Sequence, residues 1–101
     1  MSFVTDVDAC MTASGMPAPG NLYADVTSGL AALKMMSDVI MKYGAQTTIG
    51  ELIVAGTLPE IFEVATGVMI GVYFGALLKC FVHAGVSPGQ IAAAGIDTSL
   101  A

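Results

Sequence analysis

The chain has no tryptophan, one histidine and only three basic residues among 101, and charged residues make up just 11%. Eight acids against three bases give a formal net charge of −5. With no basic patch to neutralise phosphates, an ordinary nucleic-acid partner is excluded. Cys10 and Cys80 are the only cysteines, and they form no CxxC pair. The start, Met1-Ser2-Phe3-Val4-Thr5-Asp6, carries neither a basic residue nor an apolar run, so it does not read as a secretory signal peptide. The two cysteines are therefore expected to be reduced. No segment alternates for long enough to make a strand, and Gly44 and Gly50 lack the following lysine of a phosphate loop.

What is abundant is apolar. Hydrophobic residues reach 55%, and the mean hydropathy of +0.81 is high for a soluble domain. Such a chain can bury a core and is not disordered, and its length fits one helical domain spanning residues 1–101.

The punctuation marks out helices, so the expected class is all-α. Thr5 can cap a short helix over residues 5–14, stopped by Gly15, and residues 16–20, with Pro17 and Pro19, form a linker. Asn21 can cap an amphipathic helix over 22–43, with Gly44 just past its end. Its apolar arc carries Leu22, Val26, Leu30, Leu33, Met36 and Ile40, while Lys34, Asp38 and Lys42 stand four apart on the wet side. Thr48-Ile49-Gly50-Glu51 has the capping-box form and opens a short helix over 49–55, ended by Gly56. Thr57-Leu58-Pro59-Glu60 repeats the signature and starts a long helix over 59–84, with Gly85 as its stop. A last short helix over 88–94 follows Ser87 and ends at Gly95. The two long helices are expected to pair as a hairpin, flanked by the short ones.

The segment 59–84 is the informative one. From Val64 to Val82 its only charge is Lys79, and no side of the wheel is polar. A helix apolar all round is buried on every side or spans a bilayer, and nineteen residues are enough to cross the hydrocarbon. At about 1.5 Å per residue it would be roughly 38 Å long, more than the roughly 34 Å diameter of a compact chain of this size. One companion helix cannot cover it, so lipid, another copy or a different protein is expected to do so.

Gly67, Gly71 and Gly75 then read GxxxGxxxG, a stripe suited to close approach of another helix. Ala24, Ser28 and Ala32 form a second small-residue stripe on the amphipathic helix. The two stripes can pack together within one chain, or the glycines can pair one chain with another; both arrangements coexist if hairpins join into a four-helix bundle.

Chemical groups are sparse. Cys80-x-x-His83 sets two possible ligands on one helical face, but zinc takes three or four. As a nucleophilic pair they are equally weak, because apolar surroundings raise a thiol's pKa. Asp6 and Asp8 read as first-turn residues of a helix, and Met35, Met36 and Met41 as core filler. Neither catalysis nor a metal nor a cofactor is expected.

The GxxxGxxxG of Gly67, Gly71 and Gly75 resembles the glycine-zipper pore-forming toxins that bacteria deliver by contact-dependent secretion. That resemblance implies oligomerisation in a target membrane and a cognate immunity protein. Val4-Thr5-Asp6 and Gly20-Asn21-Leu22-Tyr23 resemble the small subunits of R-body ribbons, which polymerise inside bacteria. Those subunits are glutamine-rich, whereas this chain has only Gln46 and Gln90.

Two functions are thus expected of a homo-oligomer. In one, the long helix inserts in a membrane and makes a pore or channel. In the other, the chain is a structural subunit of a cytoplasmic oligomer or filament, burying its apolar helix against other copies.

Overall fold

A computed structural model describes residues 2–18 and 24–101; Asn21, Leu22, Tyr23 and the Pro19-Gly20 end of the linker lie outside the described residues. Within them the protein is all-α, with no strand. The helices are α1 (Phe3–Ala13), α2 (Val26–Tyr43), α3 (Ile49–Val54), α4 (Ile70–His83) and α5 (Pro88–Ala93). Short 3-10 helices occupy Glu60–Ala65 and Thr98–Leu100.

Most boundaries follow the local chemistry. α1 is capped by Ser2 rather than Thr5: the Thr5 N–H donates to Ser2 Oγ at 3.1 Å. Asp25 caps α2 by accepting from the Ser28 N–H at 2.8 Å, which holds its carboxyl below the usual range. Thr48 caps α3, and its hydroxyl donates to the Glu51 carboxylate at 2.8 Å. Ser87 and Gln90 form a reciprocal capping box at the start of α5. At the other ends, Gly15, Gly56, Gly85 and Gly95 take positive φ. Each is followed by an N–H that reaches back to a carbonyl five residues earlier, as Val86 does to Phe81 at 3.0 Å. These are Schellman stops, which need a residue free to enter the left-handed region.

A repeat emerges from this. Thr48-Ile49-Gly50-Glu51-Leu52, closed by Ala55-Gly56, matches Ser87-Pro88-Gly89-Gln90-Ile91, closed by Ala94-Gly95. Each unit follows a longer helix, α2 or α4, and buries its fifth residue, Leu52 or Ile91, in the core; the first unit buries Ile49 as well.

The long helix over 59–84 does not form, and with it goes the two-long-helix hairpin; the longer α-helices, α1, α2 and α4, run 11, 18 and 14 residues. The chain turns at Thr66-Gly67 between Glu60–Ala65 and α4. Pro59 stands at the cap of the 3-10 helix with no side-chain hydrogen bond, so the second capping signature at Thr57 is unused. The break has a donor-counting reason. The first N–H groups of a helix have no partner inside it. Here Ile70 and Gly71 at the start of α4 donate to the carbonyls of Thr47 and Ala45, each at 2.9 Å. In return, Ile49 and Gly50 at the start of α3 donate to Val68 and Thr66, again at 2.9 Å. Two helix starts cap each other through the segments that precede them. An unbroken helix would consume the carbonyls of Thr66 and Val68 and leave the Ile49 and Gly50 N–H groups of α3 without these acceptors. Gly67 and the β-branched Val64, Thr66 and Val68 also make this stretch a poor helix.

The core lies where α4 packs on α1 and α2. α4 buries Ile70, Tyr73, Phe74, Leu77, Leu78, Cys80 and Phe81, an ordinary one-sided pattern. Phe3 of α1 meets the Phe81 ring edge-on at 5.0 Å, and Leu33, Met36 and Ile40 of α2 close the other side. Met36 is core filler as expected, but Met35 and Met41 are exposed. Cys10 and Cys80 are joined in a disulfide between α1 and α4, which corrects the expectation of free thiols. Both stand on the apolar faces of their helices, and packing those faces brings their Cα atoms to 5.5 Å. The Tyr73 hydroxyl donates to the Pro17 carbonyl at 3.2 Å and fixes the chain after α1. Burial, with a smaller contribution from Asp8, pushes its pKa up to about 12.

Candidate assembly surface

No helix among the described residues is long and apolar enough to cross a membrane. α4 is 14 residues, about 21 Å, against a hydrocarbon thickness of about 30 Å. The expected transmembrane pore or channel is therefore corrected. Its length came from fusing two elements that the mutual cap at residues 66–71 holds apart.

The three glycines part company for the same reason. Gly67 lies in the turn before α4, and a Cβ there would meet nothing within 4 Å. Gly71 is jammed: its Cβ would lie 2.6 Å from the Ala45 Cβ and 2.9 Å from the Ala45 carbonyl oxygen. Gly50 is tight in the same clamp, 2.9 Å from the Thr66 oxygen. Gly75 is half-buried with open space in front of it. The close approach between α2 and α4 falls at Gly29, whose Cβ would meet the Phe81 ring at 2.7 Å. Spacing points to neither Gly29 nor Gly50 as a contact, because each stands outside any repeated small-residue stripe. Of the second stripe, Ala24 and Ser28 are exposed and Ala32 is buried. Ser28 and Ala32 line a cleft of about 290 Å³ with Pro59, Ile61 and Phe62, so they look onto the 3-10 helix Glu60–Ala65.

The surface divides into two unlike faces at the two ends of α4. The outer side of α4 carries Val72, Gly75, Ala76, Lys79 and Val82 and ends in its C-terminal half; Val72 and Val82 are 43% and 47% exposed. Lys79 and Val82 form a ridge between two hollows. One, of about 410 Å³, is walled by Gly75, Leu78, Pro88 and Ile91; the other, of about 500 Å³, by Ala13, Ser14 and His83. At the N-terminal end, a groove of about 680 Å³ runs between α3 and the 3-10 helix. Its walls are Ile53 and Val54, and its rim is Glu51, Glu60 and Glu63. Val54 projects at 90% exposure, the most open large apolar side chain described. The three carboxylates sit in first turns, where the positive end of a helix favours them.

Charge is unevenly matched between these faces. Among the described residues the one ion pair is Lys34–Asp38 at 2.7 Å, and Lys42 lies 5.4 Å from the centre of the Tyr43 ring. Lys79 has no ion-pair partner among the described residues, and neither does Glu51, Glu60 or Glu63.

For chemistry the arrangement offers little. No group of three or more His, Cys, Asp or Glu among the described residues is placed to hold a metal ion. Cys80 is fully buried in its disulfide, so the Cys80–His83 pair carries no thiol. A scan against protein-family models, a search of curated proteins and a search of solved structures each return no match.

Proposed function

We propose that this chain is a structural subunit that assembles with copies of itself, without lipid, to cover the apolar surface it leaves open. One observation carries the reading: the outer side of α4, from Val72 to Val82, stays apolar apart from Lys79 after the core is complete. Scattered apolar side chains are common on any surface, but a continuous helical face beside two hollows marks an interaction site. A stable interface takes about 800 Å² from each partner, a modest share of the 5114 Å² this chain exposes. In this reading the protein is non-enzymatic, and its exposed valines serve contact with other copies.

Sedimentation velocity over a concentration series, with the disulfide intact, tests this. The expected result is a mass that rises in multiples of 10.2 kDa, with dye-loaded anionic vesicles staying sealed in a parallel assay. A chain that stays monomeric up to about 1 mM, the weak limit of specific association, overturns the proposal. So does vesicle leakage at concentrations where no lipid-free assembly forms.

A further inference from the structure

We infer that the copies join head to tail, the acidic groove around Val54 on one subunit seating on the Lys79–Val82 ridge of the next. The inference rests on the self-assembly reading and specifies its geometry.

The acidic groove is ill-matched to its own copy. Bringing two acidic grooves together would set Glu51, Glu60 and Glu63 against their own copies, with no cation in the groove to offset them. The ridge face has the reverse composition: Lys79 is its one cation, amid Gly75, Leu78 and Val82. The two faces complement each other in charge and in shape. Val54 projects almost fully, whereas the hollow beside Lys79 is walled by apolar groups with Gly75 leaving room at its floor. Lys79 in turn would reach the carboxylates that rim the Val54 groove. His83 lies on the far side of the ridge, and Asp6 beyond it in the next hollow.

Placement makes such a contact propagate. The mutual cap fixes α3 and the 3-10 helix Glu60–Ala65 at the N-terminal end of α4. Lys79 and Val82 lie about 15 Å further along its axis, at 1.5 Å per residue. Where a second copy engages only one of the two faces, one of each stays free at the ends, and the contact builds a ring or a filament.

Charge reversal tests the pairing. Lys79→Glu and the double variant Glu60→Lys/Glu63→Lys each alter exposed residues, and far-UV circular dichroism checks that they fold. Each alone should weaken assembly by about tenfold or more. Mixed in equal amounts they should assemble again, since the carboxylate introduced on the ridge of one variant then faces the ammonium groups introduced on the groove rim of the other. Val54→Ser, which changes no charge, should also weaken assembly. If the wild type assembles and Lys79→Glu assembles equally well, the head-to-tail pairing is wrong while self-assembly stands. If the mixture stays dissociated, the pairing is likewise overturned. A wild type that never assembles overturns both readings.

Discussion

Gly71 and Gly75 stand one turn apart on α4, yet they belong to opposite kinds of surface. Gly71 is wedged against Ala45, where two helix starts exchange carbonyls, and Gly75 opens onto a hollow with no atom within 4 Å of a Cβ. The inner side and first turn of α4 are locked by backbone hydrogen bonds, a disulfide and aromatic packing; its outer side from Gly75 to Val82 is half-buried or exposed. Equal spacing of small residues therefore does not say what they face. One glycine is required by the fold, and the other lies on the surface proposed for assembly.

The strongest way to break the locked side is to remove its covalent tie. The Cys10–Cys80 bridge closes a loop with a sequence separation of 70 residues. By chain entropy such a closure is worth about 4 kcal/mol, an appreciable part of the roughly 5–15 kcal/mol that holds a domain folded. Urea unfolding of Cys10→Ala/Cys80→Ala should show a midpoint lowered accordingly. A loss under about 1 kcal/mol would mean that packing alone holds α1 on α4.

A smaller loss is expected at the mutual cap. Gly71→Ala puts a methyl 2.6 Å from the Ala45 side chain and 2.9 Å from its carbonyl oxygen, so backbone must move. Overpacking of this kind costs about 1–3 kcal/mol. Amide exchange locates the effect: the N–H groups of Ile70 and Gly71 should lose protection together with Ile49 and Gly50, because the two helix starts share one set of bonds. Protection lost at α4 alone would show that the two caps are independent.

The sequence carries the ends of the helices better than their continuity. Thr48, Ser87, Gly15, Gly44, Gly56, Gly85 and Gly95 mark real boundaries, since caps and stops are chemistry within a few residues. The break at Thr66-Gly67 is not local. It is made by carbonyls at Ala45 and Thr47, some twenty residues upstream, and a helical wheel has no place for them. The same holds for Cys10 and Cys80: each sits on a legible apolar face, but only docking α1 on α4 brings them together. Of the surface, the apolar character of residues 72–82 is readable. That Val54 projects among Glu51, Glu60 and Glu63 is not, because it depends on α3 folding back beside the 3-10 helix Glu60–Ala65.

The smallest effect separates the two glycines most cleanly, because its sign reverses. Gly75 lies inside α4 with a negative φ and free space at its Cβ position. A glycine in a helix interior costs about 1 kcal/mol relative to alanine, chiefly through the freedom it has when unfolded. Gly75→Ala should therefore stabilise the isolated subunit by about 0.5–1 kcal/mol, where Gly71→Ala destabilises it. Assembly adds a second contribution, since any partner that binds only the folded chain raises its apparent stability. The measurement is best made in a Lys79→Glu background, where that contribution is removed. There the full gain should appear; in the wild-type background a methyl added to the floor of the hollow should offset part of it by weakening the seat for Val54. Equal gains in the two backgrounds would place Gly75 outside the contact. A loss in both would mean that the outer side of α4 is covered within the chain itself.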